Sequence, residues 1–185
     1  MKNLASIALI ILLSVAVNLY GCKDSNRGTA PQQQPPAGKQ LHSLNVEEQI
    51  NTLREIIAKE PENTTALIRL GNIFMDTKRC KEAITYYTRA LRLEPENADV
   101  RVDLGTCYRR TGQPEKAIEE YRKAIEINPG HPYAHRNYAV VLAFDLNKPV
   151  EAIGEFQTYL RLSPDAPDAD QIKKIIIELS QRKQQ

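Results

Sequence analysis

The sequence predicts an all-α solenoid of stacked helix pairs. Three observations predict it: a 34-residue period, sparse strand signals, and an amphipathic run at each end of the periodic region. Pro61, Pro95 and Pro129 are spaced by 34, and Pro164 follows after 35. Gly71, Gly105 and Ala139 keep the 34 spacing, with Leu70, Leu104 and Tyr138 before them and Phe74, Tyr108 and Leu142 after. Ala83, Ala117 and Ala152, then Tyr87, Tyr121 and Phe156, mark the second half of each unit, and Ala90 and Ala124 complete the first two. A period of this length means repeated supersecondary units that bury their apolar faces on one another. Eight Gly, no Trp and few β-branched runs among 185 residues argue against a β-sandwich.

The chain opens with Lys2 and an apolar run from Leu4 to Val17, interrupted only by Ser6 and Ser14. That run fits the core of a secretory signal and falls short of the roughly 20 residues that span a bilayer. It ends at Leu19-Tyr20-Gly21-Cys22, which resembles the bacterial lipobox, with Tyr20 bulkier than the usual small residue there. The resemblance implies a signal peptide over 1–21, cleaved before Cys22, and diacylglyceryl attachment at the Cys22 sulfur. An uncleaved inner-membrane anchor is the alternative. Lys23 after the cysteine leans towards the outer membrane rather than the inner. Residues 22–43 carry the cysteine and a Pro- and Gln-rich stretch with almost nothing to bury, which reads as a disordered tether.

The repeat domain is expected over 44–185. Its first element, 45–60, carries an apolar stripe of Ile50, Leu53, Ile56 and Ile57 and reads as a capping helix. Three full units follow at 64–97, 98–131 and 132–166. Their pattern resembles the tetratricopeptide repeat: a large residue, Leu, a small residue and an aromatic, then Ala, an aromatic, Ala and Pro. The resemblance implies a right-handed superhelical solenoid of helix-turn-helix repeats with about eight helices. In each unit the small residue (Gly71, Gly105, Ala139) lets two antiparallel helices approach. Each Pro ends a helix, and Asn63 and Asn97 stand where they can cap the next one. The extra residue of the third unit is expected in the loop at Asn147 and Lys148. The family's large residue near each unit's start is Leu67, Arg101 and His135 here, and Tyr159 replaces a small Ala. Tyr159 is expected to pack against a closing helix at 168–182, whose apolar face is Ile172, Ile175, Ile176 and Leu179.

No residue pattern suggests catalysis. There is no CxxC, HExxH, P-loop or GxSxG sequence. His131 and His135 are four apart, but Pro132 lies between them and no Cys or carboxylate cluster joins them, so no metal site and no cofactor is expected. Tyr87, Tyr108 and Tyr121 fall at core positions, and charged runs such as Glu115–Glu126 read as solvated outer faces. Net charge is +2, which makes no electrostatic case for nucleic acid. Cys80 and Cys107 are either a disulfide pair, closing about 28 residues, or two small apolar fillers.

The family's groove, lined by the first helix of each unit, maps onto Ile68, Asn72 and Met75, then Val102, Thr106 and Arg109, then Tyr133, Arg136 and Val140. Ile68, Asp103 and Tyr133 replace residues of the carboxylate clamp by which one group of these domains holds C-terminal tails. The expectation is an apolar groove with cationic Arg109 and Arg136, suited to a protein or peptide segment carrying acidic residues. The function this implies is a non-catalytic adaptor or scaffold, lipid-tethered at the bacterial cell envelope and facing the periplasm, with no small-molecule substrate. The alternative is a permanent structural subunit of an envelope complex such as pilus, secretion or cell-wall machinery.

Overall fold

The computed structural model describes residues 45–182. The expected signal peptide, Cys22 and the tether to residue 43 lie outside the described residues. Those described form eight α-helices and one π-helical turn, without a strand. They are α1 (Val46–Lys59), α2 (Thr64–Asp76), α3 (Cys80–Leu93), α4 (Ala98–Arg110), α5 (Pro114–Ile127), α6 (Pro132–Val140), the π segment Val141–Asp145, α7 (Pro149–Leu162) and α8 (Ala169–Arg182). None of the described helices is long and apolar enough to cross a membrane.

Six of the eight helices start for a reason visible in the sequence. Asn45 and Glu48 form a reciprocal capping box on α1, with bonds of 3.0 and 3.1 Å. Asn63 and Asn97 accept the N–H groups of Ala66 and Val100 through Oδ1, at 2.9 and 3.1 Å. The third unit does the same with a ring. His131 Nδ1 accepts the Ala134 N–H at 3.2 Å, so the period of caps runs Asn63, Asn97, His131. Helices α5, α6 and α7 each carry Pro in the first turn, where its missing N–H costs nothing.

Helix pairs close around the small residues. A methyl group on Gly71 would lie 2.5 Å from the Tyr87 ring, and one on Gly105 would lie 2.6 Å from the Tyr121 ring. The helices can therefore approach this closely only because no Cβ is there. Tyr87 donates to Asn72 Oδ1 at 2.7 Å, and the Tyr121 hydroxyl lies 3.2 Å from Thr106 Oγ1. In the third unit Phe156 has no hydroxyl, and Val140 stands where Asn72 and Thr106 stood. Tyr and its polar partner are lost together, so neither polar group is stranded.

The inserted residue is not in the loop at Asn147 and Lys148. The three loops, 77–79, 111–113 and 146–148, are equally long, and each has its middle residue at positive φ: Lys78 at 62°, Gly112 at 75°, Asn147 at 51°. The extra residue lies upstream, in the π segment. There Leu146 N–H bonds back to the Val141 carbonyl at 3.1 Å. Loop closure registers the same shift. Arg79 and Gln113 reach back five residues, to Phe74 and Tyr108, whereas Lys148 reaches back six, to Leu142. A helix absorbs one residue by widening a single turn, while lengthening the loop would displace its left-handed residue.

The positions that depart from the repeat pattern share one structural job. Arg101 bonds to the Pro95 carbonyl at 2.7 Å and to Glu120 at 2.7 Å. His135, one period later, lies 3.0 Å from the Pro129 carbonyl and 2.6 Å from Glu155. Both tie the preceding turn to the second helix of their own unit. Glu120 is consequently buried, so the charged run of α5 is not solvated throughout. At the end of the array, the Tyr159 hydroxyl donates to Asp168 at 2.6 Å, just before α8. Ile172 and Leu179 of α8 are buried, and Ile175 and Ile176 half-buried, against the second of two apolar cores.

Candidate functional site: the inner groove

Successive first helices touch one another, α2 with α4 and α4 with α6, whereas successive second helices make no comparable contact. The first helices therefore lie on the inside of the curve. Two adjoining hollows open on that face, of about 230 and 180 Å³, and Asn137 lines both. Val102 and Tyr133 line the first, with Asp99, Asp103 and His131. Thr106, Arg109, Arg136 and Val140 line the second, with Arg110 and the edge of Tyr121.

Six of the nine expected groove residues thus line one continuous surface. The other three, all on α2, line neither hollow. Met75 lines a separate hollow at the turns, Ile68 is half-buried against the first core, and Asn72 is held by the Tyr87 hydroxyl. Asp103, named from the sequence only as a replaced clamp position, and Asn137, not named at all, are one period apart and both line the groove. They sit one position beyond Val102 and Arg136, and the helical face is wide enough to bring that row into the groove as well.

The electrostatics differ from the sequence expectation. Arg109 forms an ion pair through Nε with Asp145, at the end of the π segment. Arg136 Nε lies 2.6 Å from Asp168, whose other oxygen takes the Tyr159 hydroxyl. Burial works to raise the Asp168 carboxyl, but the bonds from Tyr159 and Arg136 overcome it and hold it below the usual range. Both cations are thus paired with a carboxylate of this chain, while each keeps about a third of its side chain exposed. The open charge is Asp103. No described side chain hydrogen-bonds to it, and burial, helped by Asp99 and Asp76, pushes its carboxyl up to about 6 against partial relief from His131 and Arg110. Asp99 is 2.9 Å from His131 Nε2, while Nδ1 of the same ring caps α6.

Beside this carboxylate, Tyr133 is 60% exposed at the rim of the groove, its ring edge-on to that of His131 with centroids 6.5 Å apart. Among the described residues, no group of three His, Cys, Asp or Glu is placed to hold a metal ion. What the arrangement can do is bind: an apolar and amide floor, an exposed aromatic ring and one half-buried carboxylate face a channel between helices.

A family model for the tetratricopeptide repeat matches residues 68–132. The fold is a tetratricopeptide solenoid. The solenoid superposes on a crystal structure of MamA protein with a TM-score of 0.68 at 18% identity, over 78% of this chain and 82% of that one. It is similar to the first TPR of Spaghetti (RPAP3), solved bound to the HSP90 peptide SRMEEVD, with a TM-score of 0.59 at 24% identity over 63% of this chain and 93% of that one. The TPR domain of Arabidopsis OM64 gives 0.60 at 21% identity, over 63% and 96%. No curated protein sequence matches the chain. Solenoids of this kind present extended inner surfaces to protein and peptide partners.

Proposed function

We propose that the chain is a non-catalytic adaptor, tethered to the bacterial envelope through a lipidated Cys22, which seats a partner segment bearing a basic side chain in the inner groove. The observation that carries the binding reading is Asp103, a half-buried carboxylate to which no described side chain hydrogen-bonds, lining the groove beside exposed Tyr133. A lysine or arginine of the partner would supply the missing donor, and the Tyr133 ring would cover its aliphatic stem. The peptide held by the RPAP3 domain, SRMEEVD, is rich in acidic residues. Asp103, Asp99 and Asp76 oppose such a ligand here, and Arg109 and Arg136 are already paired. The tether reading rests on the apolar leader, the lipobox-like Leu19–Cys22 and the polar stretch behind it.

The test is a peptide panel presented to the full chain, with matched segments differing only in Lys, Gln or Glu at one central position. Lysine segments should bind best. Replacing Asp103 by Asn should weaken them by about tenfold, the worth of one hydrogen bond to a charged group, and leave glutamine segments unaffected. Preference for glutamate segments would overturn the basic-segment reading. Mass spectrometry of membrane-extracted protein tests the anchor separately: a lipid on Cys22 is expected, and an intact Met1 start with unmodified Cys22 would overturn it.

A further inference from the structure

Away from the groove, two thiols meet. Cys80 is the first residue of α3 and Cys107 lies in the last turns of α4, in the next unit. Both are free, and both are buried in the first apolar core, where Cys80 neighbours the Cys107 thiol across the packed helices α3 and α4. Their surroundings are unequal. Cys107 is fully buried, whereas Cys80 retains 5% exposure and lines a hollow of about 1030 Å³ between two turns. Lys78, Arg79, Lys81 and Arg110 stand around that hollow with Asp76 and Glu82, Glu82 being paired with Arg79. Cys80 therefore opens on a hollow with an excess of cations, and Cys107 lies behind it with no exposed surface.

We propose that Cys80 and Cys107 are a thiol–disulfide exchange site, Cys80 attacking an anionic small-molecule disulfide that enters the hollow and Cys107 resolving the adduct. The Cys80 thiolate, its proton lost to water, attacks one sulfur of the oxidant. The other sulfur leaves as a thiolate and takes up a proton. Cys107, deprotonated in turn, attacks the Cys80 sulfur and expels the second half of the oxidant. Two protein thiols are oxidised by two electrons, and one external disulfide becomes two thiols. Burial and the neighbouring Cys80 push the Cys107 thiol well above its usual range. Its thiolate is scarce, so the second step is the slower and the mixed disulfide accumulates. The finished bridge links α3 of one unit to α4 of the next, fixing the angle between repeats.

The experiment uses the full chain carrying Cys22→Ser, incubated with oxidised glutathione and followed by intact mass and by thiol titration under denaturing conditions. The expected course is one glutathione adduct, then its loss with both thiols consumed. The urea midpoint should rise and return on addition of reductant. Cys107→Ala, shown folded by circular dichroism, should stop at one stable adduct, and Cys80→Ala should take none. Two adducts without a bridge, bridging only between molecules, or an unmodified Cys107→Ala variant would overturn the proposal. Should Cys107→Ala not fold, alkylation of the unaltered thiols decides: Cys80 is expected to react first, and Cys107 reacting first or both together overturns the order.

Discussion

A methyl group added to Gly105 and one added to Gly154 should move stability in opposite directions. Both glycines lie inside helices, where alanine is intrinsically favoured by about 1 kcal/mol. At Gly154, on the exposed side of α7, nothing lies within 4 Å of the new atom. Gly154→Ala should therefore stabilise by about 1 kcal/mol. At Gly105 the methyl would stand 2.6 Å from Tyr121 Cε1 and 2.9 Å from Cδ1, so the ring or the helix has to shift. The ring is 1% exposed and its hydroxyl lies 3.2 Å from Thr106, so moving it disturbs packing and that polar contact. Overpacking of this kind costs about 1–3 kcal/mol. A contact this short belongs at the upper end of that range, which leaves Gly105→Ala destabilised by a net of about 2 kcal/mol. Urea unfolding at fixed pH, read as the shift in midpoint at constant slope, measures both. A smaller residue at the ring supplies the check: Tyr121→Leu should relieve the clash, making the double variant less unstable than the two single effects summed. If Gly105→Ala were as stabilising as Gly154→Ala, close approach would not be the reason for glycine at this period.

Other outcomes follow from the same structure. Because the folded Asp103 carboxyl titrates near 6 rather than 3.8, its ionisation opposes folding. The stability it allows is whole below about pH 4 and is lost as pH rises through 6, by at most about 3 kcal/mol at 1.36 per unit. Asp103→Asn should accordingly gain on the parent protein between pH 4 and pH 7 in chemical denaturation, and a gap that stays flat would count against the desolvated carboxylate. Binding of a lysine-bearing segment should strengthen over the same interval, since the carboxylate gains its charge there. Replacing Asn63 or Asn97 by Ala should each cost about 1 kcal/mol, the usual worth of a cap. His131→Ala should cost a similar amount, and the absence of any loss would mean that its ring nitrogen does not cap α6. Phe156→Tyr alone should lose about 1–3 kcal/mol by burying an unpaired hydroxyl. Adding Val140→Asn should restore most of it by rebuilding the pair that Tyr87 makes with Asn72, which a double-mutant cycle reads directly.

The repeat was legible because a stacked array assigns the same job to the same position in every unit. Gly71 and Gly105, Tyr87 and Tyr121, and the caps Asn63 and Asn97 each announce their role by recurring. Even His131, a different chemical group, occupies the cap position by register. Periodicity was less informative where a residue's partner is outside the register. Arg109 meets Asp145 across 36 residues and Arg136 meets Asp168 across 32, neither a repeat spacing. In sequence both arginines therefore look like free cations in the groove.

Two further matters were decided only in three dimensions. One is the location of the extra residue. A count of 35 is compatible with a longer loop or a wider helical turn, and backbone hydrogen bonding chose the π segment at Val141–Asp145. The other is the unequal exposure of Cys80 and Cys107, of which only Cys80 lines a hollow. By itself the sequence determined the number of units, the closing glycines and the helix ends, since these follow from local backbone and short-range packing rules. The tertiary structure decided the sign of the groove's open charge. Coulombic and hydrogen-bond pairing depends on which side chains meet across the stack, and no period in the chain records that.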